Sequence, residues 1–152
     1  MHGTSMNLGH SQPLLQRHRE FAARILVFQD IKTFLESFGS DASLHPEDWL
    51  KLVLLAEEMF TNTIHHGHAC ESDARVGITI ESWEKHVRLI YEDSAPPHDP
   101  LAAAQRVNLQ LPVENRPVGG LGMLLTVKLT ERAHYSFVDG RNRVELILAR
   151  SR

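Results

Sequence analysis

Apolar positions along the chain change period several times, and each change marks an element. A short apolar stretch from Arg19 to Val27 reads as a strand. From Gln29 to Phe38, Ile31, Phe34, Leu35 and Phe38 recur at helical spacing, and Gly39 is expected to close that helix. The clearest helix runs from Pro46 to His66. Pro46, Glu47 and Asp48 suit a first turn, Gly67 suits a C-terminal cap, and Trp49, Leu52, Val53, Ala56, Met59, Phe60 and Ile64 form the buried stripe. Val76-Ile78-Ile80 and Val87-Leu89-Tyr91 then alternate at the strand period, with a polar turn around Glu84 to His86.

Ser94 to Pro117 carries five prolines, Pro96, Pro97, Pro100, Pro112 and Pro117, and only Leu101 to Val107 has helical character. A loop this long in a small domain tends to be a lid or a binding segment. Gly119-Gly120-Leu121-Gly122 opens a helix to about Leu129. The chain closes with a hairpin, Ala133 to Val138 and Arg143 to Leu148, turned at Asp139-Gly140. Antiparallel strands interleaved with helices predict an α/β (α+β) fold, a two-layer sandwich of a mixed, mainly antiparallel sheet with helices on one face.

Length and composition fit one domain: 152 residues, 42% of them hydrophobic, support a single core. Residues 1–17 are polar and expected to form a loose arm, leaving 18–152 as the domain. A net charge of -3 without a basic stripe argues against direct nucleic-acid binding. The single cysteine, Cys70, excludes an internal disulfide, and no signal peptide or membrane-length apolar run is present, so a cytoplasmic protein is expected.

Four side chains on the long helix, Glu58, Asn62, His65 and His66, share one face at i, i+4, i+7 and i+8. Glu58 could take a proton from a nucleophile, and Asn62 could offer a neutral oxygen to Mg²⁺, which needs few protein ligands when phosphates complete its shell. A solvated helix face has the same pattern. Gly119 to Gly122 stands where free backbone N–H groups and a helix dipole could meet phosphate, though a glycine turn opening a helix reads alike. No Walker A lysine follows, and no dinucleotide fingerprint is completed. Asp93, just beyond a strand, accepts hydrogen bonds only and suits an exocyclic amine such as adenine's, or else a turn. The run His65 to Cys70 lacks ordered metal-ligand spacing, and non-metal roles are expected.

Glu58-Met-Phe-Thr-Asn62-Thr-Ile-His-His66-Gly67, Tyr91-Glu-Asp93-Ser-Ala-Pro-Pro-His-Asp99-Pro100 and Gly119-Gly-Leu-Gly122-Met-Leu-Leu resemble, in order and spacing, three boxes of the GHKL ATPase superfamily. The short chain is most similar to its serine-kinase anti-sigma-factor branch, of RsbW and SpoIIAB type, from about Arg19 onward, including Asp139-Gly140-Arg-Asn142. The second box has Ala95 and His98 where glycine and an aromatic are usual. The resemblance implies a Bergerat-type ATP-binding fold with ATP and Mg²⁺ as cofactors. Glu58 would be general base, Asn62 the Mg²⁺ ligand, Asp93 the adenine reader, and Gly120 and Gly122 the phosphate cradle, with His66 and Leu121 also at the nucleotide. It implies transfer to a serine or threonine of a STAS-type antagonist, sequestration of a sigma factor or other regulatory protein, and a homodimer. The competing expectation is a nucleotide-binding module that sequesters a partner without catalysis.

Overall fold

The structure is a computed structural model, and it describes residues 12–67, 70–105 and 121–152. Chain order is β1 (Leu15–Ala22), a 3-10 turn (Ile25–Val27), α1 (Phe28–Asp41), α2 (Pro46–Asn62), a π-turn (Thr63–Gly67), β2 (Arg75–Ser82) and β3 (His86–Asp93). α3 (Pro100–Gln105), α4 (Leu121–Leu129), β4 (Arg132–Val138) and β5 (Arg141–Ala149) complete it. One five-stranded sheet is formed in the order β1-β2-β3-β5-β4. All four pairings are antiparallel, including β3 with β5, where a parallel pair could have made the sheet mixed.

Register sorts the strands into two faces. Val76, Ile78 and Ile80 of β2, Val87, Leu89 and Tyr91 of β3, and Val144, Leu146 and Leu148 of β5 point to the helices. They meet Ile31, Leu35 and Phe38 of α1 and Leu52, Leu55, Ala56, Met59 and Phe60 of α2 in one core. Burying each of these large side chains stabilises the fold by roughly 1.5–3 kcal/mol, which makes this two-layer contact the dominant favourable term. The opposite face is a lattice of charge, where Arg88 bridges Glu81 at 3.3 Å and Glu145 at 2.8 Å.

The first strand differs from its expected position. It begins at Leu15, inside the stretch read as a loose arm, and ends at Ala22, where the chain turns into the 3-10 segment. As an edge strand it needs little apolar surface: Phe21 alone is fully buried, while Arg19 stays exposed. The remainder of the arm, residues 1–11, lies outside the described residues.

Gly39 does not end α1. It is buried against α2 in the last turn of α1, where an added Cβ would lie 3.0 Å from Trp49 Cδ1. The stop is a Schellman motif centred on Ser43, which takes the left-handed φ of 53°. Leu44 N–H donates to the Gly39 carbonyl at 2.9 Å and Ser43 N–H to that of Ser40 at 3.2 Å. In the last hairpin both central residues have positive φ, Asp139 at 53° and Gly140 at 77°, as a type I′ turn requires. α2 starts after His45, whose ring accepts from Glu47 N–H at 3.2 Å. The buried Asp48 carboxylate holds the C-terminus, accepting from Ser151 N–H and its hydroxyl, each at 2.7 Å.

These two roles make opposite predictions in chemical denaturation. Ser43→Gly is expected to raise stability by about 0.5–1 kcal/mol, since glycine takes the left-handed conformation without penalty. Gly39→Val is expected to lower it by about 1–3 kcal/mol through overpacking against Trp49.

Candidate functional site

Asp93 ends β3 on the helix-facing side of the sheet, opposite Asn142 of β5. It is only 8% exposed, so its carboxylate requires partners. Oδ1 accepts from Asn142 Nδ2 at 2.9 Å and from Ala95 N–H at 3.2 Å. Oδ2 accepts from the Thr63 hydroxyl at 2.8 Å. The one proton of Thr63 Oγ1 faces two groups that can only accept, the Asp93 carboxylate and the Met59 carbonyl at 3.1 Å, so the 2.7 Å contact between Thr63 and Tyr91 is a donation from the tyrosine. Tyr91, Thr63 and Asp93 thus form a directed relay, and such chains polarise and strengthen one another. Burial pushes the Tyr91 phenol well above its ordinary range, and the neighbouring Asp93 charge adds to this against the opposing Thr63 bond.

Asn142 holds this corner together. Nδ2 also faces the carbonyls of Ala95 at 3.0 Å and Pro96 at 3.1 Å, so its two hydrogens are shared among three acceptors. Oδ1 accepts from His98 N–H at 2.9 Å and from Tyr135 Oη at 2.6 Å. One amide therefore pins the segment from Asp93 to His98 against β5. Ala95, in the position where the resemblance leads one to expect glycine, has no positive φ and buries its methyl at 3% exposure. Its backbone conformation is open to any residue.

These groups wall a cleft between α2 and the sheet. Met59, Ala95, Pro100 and Val144 give it apolar sides, while Asn62, Thr63, Asp93 and His98 contribute polar atoms. With four acceptor positions on the carboxylate and three filled by protein donors, one position on Oδ2 remains for a ligand N–H.

The other sequence candidates divide between neighbouring places. Asn62 lines the Asp93 cleft, one helical turn from Glu58. Glu58 instead lines an adjacent groove between α2 and α4, where its carboxylate lies against Gly122 so closely that a Cβ on Gly122 would overlap it. The first and third boxes are thereby in direct contact. Leu121 is the first residue of α4, and Gly119 and Gly120 lie outside the described residues. His65 and His66 are exposed in the π-turn and line neither cleft. The π-turn inserts an extra residue per turn, which rotates them off the face carrying Glu58 and Asn62. Among the described residues, no three His, Cys, Asp or Glu side chains gather as a metal site.

Thr63, Tyr91 and Asn142 are the site residues that sequence reasoning missed. A signal existed for Asn142, a polar residue in an inward position of the alternation Asn142, Val144, Leu146, Leu148.

A helix-covered antiparallel sheet, with an acidic cleft at a strand end and a helix opening beside it, defines an ATPase-type nucleotide fold. Residues 21–148 match the histidine kinase-like ATPase domain, and the chain belongs to that family. No curated protein matches the sequence. Among solved structures, the RsbU and RsbW domains of Rv1364c from Mycobacterium tuberculosis superpose with a TM-score of 0.63 at 18% identity, over 92% of this chain and 34% of that one. This protein thus spans about a third of the length of that relative. The SiaB–SiaC complex from Pseudomonas aeruginosa gives 0.54 at 15% identity, covering 91% of each chain. The catalytic domain of histidine kinase ThkA gives 0.50 at 13%, covering 88% of this chain and 97% of that one. Among the described residues, no helix is long and apolar enough to cross a membrane.

Two variants check the network by denaturation. Asn142→Ala, which strips Asp93 of a buried donor, is expected to cost about 1–3 kcal/mol. Tyr91→Phe is expected to cost about 1 kcal/mol at neutral pH and to flatten the alkaline limb of the stability curve. The folded-state phenol is raised above its unfolded value near 10, so the stability it contributes is complete below that pH and lost as pH rises further. A phenylalanine carries no such dependence.

Proposed function

We propose that this protein is a Mg-ATP-dependent serine/threonine protein kinase that phosphorylates a small STAS-type regulatory protein and also sequesters a sigma factor or comparable partner. The observation that carries this reading is the convergence of Asp93, Asn62 and Glu58 around the end of α2, with Glu58 packed on the first turn of α4. Family membership supports nucleotide binding. The likeness in fold to an RsbW domain and to the SiaB–SiaC complex supports a regulatory partner.

In this reading the apolar walls and the open Oδ2 position of Asp93 take the adenine base and its amine. Asn62 would offer its side-chain oxygen to the cation, and backbone N–H groups of Gly120 and Gly122 would cradle the phosphates. Bound Mg-ATP supplies the phosphoryl group and the charge that neutralises its oxygens. Glu58 takes the proton of the acceptor hydroxyl. His66, exposed in the π-turn just after Asn62, is kept as a further nucleotide contact in this reading.

Mg-ATP at about 100 times its dissociation constant is expected to stabilise the protein by about 2.7 kcal/mol, read as a rise in melting temperature. Asp93→Asn is expected to abolish most of that rise, and Asn62→Ala to remove its Mg²⁺-dependent part. Glu58→Gln should keep the rise yet reduce transfer to the STAS acceptor by about 10²–10⁴-fold. Undiminished transfer by Glu58→Gln would overturn the base assignment, and binding without transfer by the unaltered protein would favour a non-catalytic module.

A further inference from the structure

The first turn of α4 is anchored on two sides. Met123 is buried in the core, and the Thr126 hydroxyl, also buried, donates to the Gly122 carbonyl at 3.0 Å. A helix leaves the N–H groups of its first turn without intrahelical partners, and with the positive end of its dipole they attract an anion. An anion of the chain itself lies there. The Glu58 carboxylate occupies the volume that a side chain at residue 122 would take, and both of its oxygens fall inside contact distance of a Cβ built there. Only one partner in this contact can yield. Gly122 is part of the anchored turn, whereas the carboxylate is the far end of a flexible, partly buried side chain. It borders an open groove of about 940 Å³, counted to the mouth, into which it can turn.

We propose that Glu58 is an internal stand-in for phosphate, seated on the first turn of α4 until the phosphates of a nucleotide displace it, and that this displacement releases it to act as the base. The inference rests on the nucleotide and kinase reading above and adds how that site is regulated. Both claimants to the space over Gly122 are negatively charged, and the space holds one of them, so seating of Glu58 and docking of phosphate exclude each other. Readiness for proton transfer is thereby tied to occupancy of the cradle. The competition also lowers apparent affinity for phosphorylated nucleotides, since only the fraction of molecules with Glu58 turned away is competent to bind them. Recognition of the base is untouched, because Glu58 is not among the groups that wall the Asp93 cleft.

The test is calorimetric titration of the full chain with ATP, ADP and adenosine in the presence of Mg²⁺, comparing the unaltered protein with Glu58→Gln and Glu58→Ala. Glutamine keeps the shape of the side chain but not the charge that the helix end attracts, and alanine empties the seat. Both variants are expected to bind ATP and ADP about three- to tenfold more tightly, the effect of one charge at a helix end. Adenosine, which has no phosphate to compete, should bind all three proteins alike. Unchanged or weaker binding of ATP and ADP by both variants overturns the stand-in and leaves the nucleotide reading in place, provided the unaltered protein binds them. Equal tightening of adenosine also overturns it, because Glu58 then acts through the fold as a whole. If the unaltered protein binds neither ATP nor adenosine, the nucleotide reading itself fails, and this assignment fails with it.

Discussion

A carboxylate taken out of water has to be surrounded by donors, and the burial of Asp93 imposes that condition on four separate stretches of the chain. Thr63 comes from the π-turn that follows α2, Asn142 from β5 and the Ala95 amide from the loop after β3, while Tyr91 of β3 reaches the acid through Thr63. Each donor fixes the element that carries it. The end of the long helix is therefore set against the sheet by a polar contact as well as by the apolar core, and Asn62, its immediate neighbour, is set with it. An incompletely satisfied acid in this position would cost more than an apolar substitute, so the network either holds together as a whole or destabilises the site.

The long helix is the member on which everything else is mounted. One side, including Leu52, Leu55, Ala56, Met59 and Phe60, belongs to the core. Its last regular turn separates two openings, with Asn62 on one and Glu58 on the other. A single helical repeat thus sets two neighbouring polar residues on different clefts without any special backbone. The π-turn that follows serves a different need, placing the Thr63 hydroxyl next to β3.

Much of this was legible in the sequence where residues report on their neighbours. α2, β2, β3 and the final hairpin follow apolar recurrence at periods of 3.6 and 2, and both residues of the Asp139-Gly140 turn have the φ values that such a turn demands. The edge strand β1 was harder, because Arg17 and Arg19 occupy its helix-facing positions and leave no alternation to read. Gly39 looked like a terminator, yet the fold uses its small volume, while Ser43 accepts the strained cap. In the candidate site, Glu58, Asn62 and Asp93 were singled out from chemistry and position, and the structure sets them at two adjoining clefts. Their partners were not, since Thr63 and Asn142 lie 30 and 49 residues from Asp93 and distant pairs leave no period. Ideal helical geometry extended to His65 and His66 did not foresee the π-turn that carries them.

The contact between Glu58 and Gly122 has an evolutionary consequence. Any side chain at 122 would have to displace the carboxylate, so neither position is free to drift alone. A lineage that shortened the acid would open space for alanine across the gap, and one that first acquired alanine would lose the acid's present seat. The contact couples residues 64 positions apart that belong to different helices. Among descendants of this chain, the identity of residue 122 should therefore record whether position 58 is still held to its chemistry.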